Sequence, residues 1–304
     1  MVKKDKTRIL IFGGTGFIGY HLTKKFVKKG WQVTSVSKRS PNKEKFIKGV
    51  YYLKLDLEKT KNYNVLKKNF DYLINASGYI NNNKTKKYKK HNFKIVKNIF
   101  SHFKDSKLKA FLNFSSCAEY GGKNSPQSEI SKCKPVSVYG KDKLKCTNFL
   151  VKSFNKYNFP IIIFRAYQIY GPLQEVNRLI PIASKACYFD KEFNCIDGNQ
   201  IRDYLYIDDV VDATLKALNN TKSIGQIFNL GSGKKISIKY LINYIKNYYK
   251  KGKPLYGKVV LRKDESREIY PNISKIKKIL KWKPKTNFKK GLLTTLKYYN
   301  KKYN

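Results

Sequence analysis

Acidic residues are scarce in this chain: 20 Asp and Glu stand against 65 Lys and Arg in 304 residues, a formal net charge of +45. Such an excess is a common mark of nucleic-acid binding, yet arginine is scarce as well. Seven arginines leave 58 lysines, scattered in short clusters such as Lys86-Lys87, Lys89-Lys90 and Lys250-Lys251 rather than gathered in a tail. With Asn, Ile and Tyr also abundant, this spread reads as a compositional bias that fills solvated positions with lysine. A dedicated nucleic-acid partner is therefore disfavoured, and attraction of anionic substrates is a by-product. Histidines number three and cysteines five. Cys117, Cys133, Cys146, Cys187 and Cys195 form no Cys-x-x-Cys pair and no metal-ligand spacing with the histidines, so neither a metal site nor a disulfide framework is expected. Reduced thiols fit a cytoplasmic location. Long hydrophobic runs are missing too: none approaches a membrane span, and the first apolar run is too short for a signal peptide.

What is present begins at Arg8-Ile9-Leu10-Ile11-Phe12-Gly13-Gly14-Thr15-Gly16-Phe17-Ile18-Gly19. An apolar run closed by glycines predicts a buried parallel strand, a tight turn and a helix. Gly13 permits the turn, Gly16 lets backbone N–H groups approach a pyrophosphate, and Gly19 allows close packing of helix on sheet. The helix start offers bare N–H groups and a positive dipole end to an anion. The position of the motif, between strand and amphipathic helix, is what makes it a dinucleotide fingerprint.

The pattern predicts an α/β chain: helix Phe17–Lys29, strands Gln32–Ser37, Val50–Leu53 and Tyr72–Ala76, helix Tyr88–Phe103, strand Lys109–Ser115, helix Ser137–Tyr157 and strand Ile161–Arg165. This alternation implies a doubly wound parallel sheet. Beyond Tyr170-Gly171-Pro172 the rhythm breaks. Short strands are expected near Phe193–Ile196, Arg202–Tyr206, Gln226–Leu230 and Lys258–Leu261, with helices near Asp209–Asn219, Ile238–Tyr249, Ser274–Leu280 and Phe288–Tyr299. The division expected is a Rossmann domain over 1–172, a return segment near 203–232, and a smaller α/β substrate-binding cap over 173–304. Ligands are expected at the carboxyl ends of the strands.

Tyr139 and Lys143 lie four apart on one helix face, where an ammonium favours the phenolate and the phenol can exchange a proton with a substrate hydroxyl or carbonyl. The spacing alone is poor evidence, because Tyr-x-x-x-Lys also starts at Tyr20, Tyr63, Tyr249 and Tyr298. Context selects Tyr139. Phe114-Ser115-Ser116 closes the fifth strand, and Tyr139 opens the next helix.

Together with Asp56-Leu57, Tyr120-Gly121, Arg165, Tyr170-Gly171-Pro172, Arg202-Asp203-Tyr204, Asp208-Asp209-Val210 and Trp282-Lys283-Pro284, these motifs resemble the extended short-chain dehydrogenase/reductase superfamily. The likeness is to its nucleotide-sugar epimerase/dehydratase/reductase branch and spans nearly the whole chain. The resemblance implies that Tyr139 is the acid/base, Ser116 hydrogen-bonds the reacting sugar oxygen, and Lys143 holds the nicotinamide ribose. It implies cofactor contacts from Gly13, Thr15, Gly16, Phe17, Ile18, Gly19, Asp56, Leu57, Ala76, Ser77 and Gly78. Arg202 resembles the arginine that grips the sugar-nucleotide diphosphate and Arg267 aligns with a second, with Gln168 and Asn177 as further substrate-side candidates. A homodimer through the Tyr139 helix and its neighbour is also implied.

Departures from the family pattern narrow the activity. Dehydratases of this branch carry Thr-Asp-Glu ahead of Tyr-Gly, whereas here the stretch is Ser116-Cys117-Ala118, without the carboxylates of the elimination. The second strand ends without an acid for the adenosine ribose, and Ser37, Lys38 and Arg39 could cradle a 2′-phosphate instead. Gln168 replaces the family's usual Asn. The missing acid, more than the Ser37–Arg39 stretch, favours NADP(H), with NAD the alternative. The chain is also short for an epimerase of this branch. The leading expectation is an NADPH-dependent reductase of a nucleotide-activated keto-deoxysugar. The alternative is an NAD-dependent nucleotide-sugar 4-epimerase, and a remoter one is a non-catalytic dinucleotide- and RNA-binding protein.

Overall fold

The computed structural model describes residues 6–78, 91–260 and 266–304. The chain runs β1 (Arg8–Phe12), α1 (Phe17–Lys28), β2 (Gln32–Ser37), β3 (Val50–Lys54), β4 (Tyr72–Asn75), α2 (His91–Phe103), β5 (Ala110–Ser116), α3 (Val138–Tyr157) and β6 (Ile161–Ala166). Then follow β7 (Gln168–Tyr170), α4 (Leu179–Tyr188), β8 (Glu192–Asn194), β9 (Ile201–Arg202), β10 (Tyr204–Tyr206), α5 (Ile207–Leu218) and β11 (Gln226–Leu230). Last come β12 (Ile236–Ser237), α6 (Ile238–Tyr249), β13 (Lys253–Leu255), β14 (Glu268–Ile269), α7 (Ser274–Leu280) and α8 (Phe288–Tyr303). The start expected for the second helix, at Tyr88, lies outside the described residues, as do the lysine clusters at 86–90 and Leu261 of the strand expected at 258–261.

Two compact units divide the chain: 1–119 with 135–165 and 211–228, and 120–134 with 166–210 and 229–304. The first holds the parallel Rossmann sheet, a seven-stranded sheet in the order β11-β6-β5-β4-β1-β2-β3. Order reverses between β1 and β4, the kind of position at which open α/β sheets bind ligands. Apolar runs line both faces, as two-sided burial requires. Leu10, Phe12, Leu73, Ile99, Phe103, Phe111, Leu150, Ile161 and Ile163 form one buried cluster with β and helical contributions alike.

The second unit carries three small sheets, β10-β7, β12-β9-β14 and β13-β8. The strand expected over Arg202–Tyr206 is two strands in different sheets. The break is at Asp203, whose buried carboxylate accepts from Ser232 N at 2.7 Å, Ser232 Oγ at 2.7 Å and Lys234 N at 3.1 Å. Residues 253–255, not 258–260, pair with β8. Helix α4 was not among the expected helices. Pro181 stands in its first turn, where the missing N–H has no intrahelical partner to lose.

Gly13 has φ +80°, and a Cβ there would lie 2.7 Å from Ser77 N. A Cβ at Gly19 would collide with the Gly13 carbonyl oxygen. Alanine in a helix interior gains about 1 kcal/mol over glycine, but a rigid backbone clash costs about 1–3 kcal/mol, so the clash decides the sign. Gly19→Ala is expected to lower the denaturant midpoint, while Gly122→Ala, where an added Cβ meets nothing within 4 Å, leaves it unchanged. Equal midpoints for the two variants would refute this account of the turn.

Candidate active site

The first unit gathers most of the residues singled out by sequence. Gly13 N donates to Val36 O at 2.7 Å, so the glycine turn lies across the end of β2. Thr15 N donates to Ser37 Oγ at 3.3 Å. Gly16 is the N-cap of α1 and supplies no side-chain cap, leaving the N–H groups of Phe17, Ile18 and Gly19 at a bare helix start. Ser77, against which Gly13 packs, turns its own N–H and hydroxyl to Asn75 Oδ1, at 3.1 and 2.5 Å. Ala76 and Gly78 flank it on the same segment. A cradle with no room for a Cβ at Gly13, beside uncapped helical N–H groups, fits a dinucleotide pyrophosphate.

Beyond β3, Leu57 is buried and its carbonyl accepts from Tyr63 Oη and Asn98 Nδ2, both at 3.1 Å. Lys38 Nζ lies 3.2 Å from Asp56 Oδ2. Desolvation is the largest influence on the Asp56 carboxyl and acts upward, but the Glu58 N–H and Lys38 outweigh it and hold the group below the usual carboxylate range. Arg39 is exposed. Lys38 is thus engaged by a carboxylate in the same unit, which reduces what the Ser37–Arg39 stretch can offer a phosphate.

Strand β5 ends at Ser116, which is half-buried and whose Oγ accepts from Ala118 N at 3.2 Å. Helix α3 begins beside it. Ser137 caps the helix by accepting from Gly140 N at 3.0 Å, and Gly140 presses so closely on the Ala118 carbonyl that no side chain would fit. That contact brings Tyr139, in the first turn, to the end of β5. Lys143, one turn on, is buried. Its Nζ donates to Phe114 O at 2.9 Å and lies 5.8 Å from the Tyr139 ring centroid. A Cβ built at Gly78 would have Lys143 Nζ at 3.6 Å and Asn92 Oδ1 at 3.7 Å as neighbours, so the strand-four segment and the Tyr139 helix meet at the same place. A phenol, an ammonium and a hydroxyl so arranged can move a proton on or off an alcohol oxygen.

Sequence reading missed Asn92, and also Glu119, which is fully buried and accepts from Ser115, Thr147 and Arg165. The available signal was an acid, in an acid-poor chain, directly after a buried strand. A cavity of about 690 Å³ in this unit is lined by Arg8, Thr34, Tyr51 and Phe70 among others. It opens at the amino ends of the strands, away from the glycine turn, and takes no part in the site.

The second unit brings Arg202 and Arg267 together. Parallel pairing of β14 with β9 sets Ile269 opposite Arg202, and the Arg202 guanidinium donates to Ile201 O at 2.8 Å and Arg267 O at 3.0 Å. Arg267 itself is exposed and pairs with Asp197 at 3.2 Å. Gln168 is exposed on β7, its N–H donating to Asp203 O at 3.2 Å. Asn177 is exposed in the loop leading to α4.

Known proteins match this arrangement. The family model described as NAD dependent epimerase/dehydratase matches residues 9–231. UDP-glucuronate 4-epimerase of Thermodesulfobacterium geofontis is 28% identical over 313 residues, covering 95% of each chain. The structure of UDP-glucose 4-epimerase from Thermotoga maritima with UDP-glucose superposes with a TM-score of 0.90 at 24% identity, covering 98% of this chain and 100% of that one. UDP-glucuronic acid 4-epimerase from Bacillus cereus, in complex with NAD, gives 0.86 at 25% identity, with coverage of 98% and 100%. With its fingerprint turn, its Ser-Tyr-Lys group and a family match across 223 residues (9 to 231), this chain belongs to the NAD-dependent epimerase/dehydratase family of the extended short-chain dehydrogenase/reductase superfamily.

Proposed function

We propose that the protein interconverts the C4 epimers of a uridine-diphosphate sugar with NAD held in the first unit. The observation that carries this reading is the grouping of Ser116, Tyr139 and Lys143 at the end of β5 in a chain that aligns with a 4-epimerase over 95% of both lengths. The keto-sugar reductase reading gives way. It rested partly on length, and solved 4-epimerase chains are covered completely by this one. It rested also on a phosphate cradle at Ser37–Arg39, and Lys38 there is paired with Asp56. The missing acid after β2 had favoured NADP, but the 4-epimerase structure that is 25% identical to this chain is a complex with NAD.

In this reading Tyr139 takes the proton of the sugar 4-hydroxyl and later returns it, while Ser116 Oγ hydrogen-bonds the same oxygen. Lys143, held by Phe114 O at 2.9 Å, sets its Nζ 5.8 Å from the Tyr139 ring centroid, beside the phenol that handles the proton. The glycine turn and the N-terminal amides of α1 hold the pyrophosphate, with Asp56, Leu57, Ala76, Ser77 and Gly78 along the rest of the dinucleotide. NAD held there would supply reversible hydride acceptance at the sugar C4, complementing the proton that Tyr139 holds. The cycle closes on itself and consumes no reductant, so the dinucleotide has no need to exchange. Arg202 and Arg267 take the sugar-nucleotide diphosphate, and Arg suits that role because its planar fork matches two phosphate oxygens.

Incubated with UDP-glucose, UDP-glucuronate or UDP-N-acetylglucosamine and no added reductant, the protein should bring at least one pair of C4 epimers to the same ratio from either side. Tyr139→Phe should fold and retain dinucleotide but lose turnover by about 10²-fold or more. A Phe variant with near-normal turnover would remove Tyr139 from the chemistry. Arg202→Lys should raise KM for the UDP-sugar about tenfold with a smaller change in kcat, the mark of lost ground-state binding. An unchanged KM would take Arg202 out of the substrate site.

A further inference from the structure

Glu119 is the one acid of the first unit buried to 0% exposure among the described residues. Its Oε2 accepts from Arg165 Nε at 2.8 Å, and its Oε1 accepts from Thr147 Oγ1 at 2.7 Å and from Ser115 Oγ. Ser115 adjoins Ser116 on β5, Arg165 is on β6, and Thr147 is on α3. Thr147 also lies one helical turn beyond Lys143, as Lys143 lies one turn beyond Tyr139, so the three share a helix face. That face therefore meets β5 through Lys143 on Phe114 O and Thr147 on Ser115 Oγ at 3.4 Å, and meets the turn after β5 through Thr147 on Glu119.

We propose that Glu119 is a positioning residue: its carboxylate, shared by Ser115, Thr147 and Arg165, fixes the height of the Tyr139–Lys143 face of α3 against the Ser116 end of β5. A buried ion pair is weak evidence of stability, because apolar residues of similar volume often replace it without loss. What such residues cannot replace is direction. A carboxylate with three donors from three elements admits one arrangement, and a misplacement of about 1 Å in a reacting group can cost 10²-fold in rate. The kinetic consequence rests on the epimerase reading, whereas the geometric one does not.

The test compares wild type with Glu119→Leu/Arg165→Met, in which Ser115 and Thr147, 3.4 Å apart, can still bond each other. The expected result is a folded protein melting no lower than wild type, with KM and dinucleotide affinity within about threefold and kcat down at least about tenfold. A folded double variant with kcat within twofold of wild type overturns the proposal, since a merely structural pair would behave so. If the double variant does not fold, Glu119→Gln, which keeps the shape and loses the charge, is held to the same kinetic criteria, with a lower melting temperature expected because Arg165 loses its counter-charge. If wild type itself turns over no UDP-sugar, the epimerase reading has failed and hydrogen exchange decides. Faster exchange in 114–120 and 138–143, with 17–28 unchanged, supports positioning. Exchange unchanged in 114–120 and 138–143 overturns it.

Discussion

Backbone crowding around Gly13 is the constraint on which the first unit turns. β1 lies between β4 and β2 in the sheet, and the turn that leaves it must pass Ser77 on one side and receive α1 on the other. No side chain fits at Gly13 or Gly19, so the turn stays thin, and the start of α1 behind it carries no side-chain cap that would compete with a bound anion. The same crowding carries the segment after β4 against the turn that follows β1. Sheet order, helix start and cofactor cradle are consequences of one steric arrangement.

The scarce acids form a second pattern. Glu119, Asp142, Asp203 and Asp209 are all buried, though the chain has only 20 acids. Each accepts from groups that would otherwise be orphaned: Asp142 from Asn92 N, Asp203 from the 232–234 loop, and Asp209 from Lys285 N and Thr286 N. A buried N–H without a partner costs about 1–3 kcal/mol, which lysine cannot relieve because it only donates. The positions where this lysine-rich chain keeps an acid are therefore informative. Seen so, the +45 charge describes solvated positions, and the chemistry lies in the exceptions.

Much of this was legible in the sequence because it is local. The apolar run into Gly13, the amphipathic α1 and the Ser137 cap of α3 each depend on neighbours within a few residues, and they fall within a residue or two of where the patterns put them. The parts that were not legible depend on distant partners. Strands as short as β7, β9 and β14 exist only through pairing. Pro254 disguises β13, yet a two-stranded sheet has a free edge that needs no N–H. Asp203 divides one apparent strand in two by bonding a loop thirty residues on. In the site, context rather than spacing singled out Tyr139 and Lys143 from five Tyr-x-x-x-Lys pairs, and Ser116 stood out by its place at the strand's end. Glu119 was missed because its three partners come from three separate elements. The reductase expectation leaned on the missing acid after β2, on Ser37–Arg39 and on length, and the relatives support the epimerase alternative better.

The central claim is a closed oxidation and reduction cycle on a retained cofactor. It is tested most directly by denaturing the purified protein and identifying and counting the dinucleotide released. The account predicts NAD, near one per chain, that does not exchange with added NADP during turnover. A site that is empty on purification and binds NADPH in preference would contradict it.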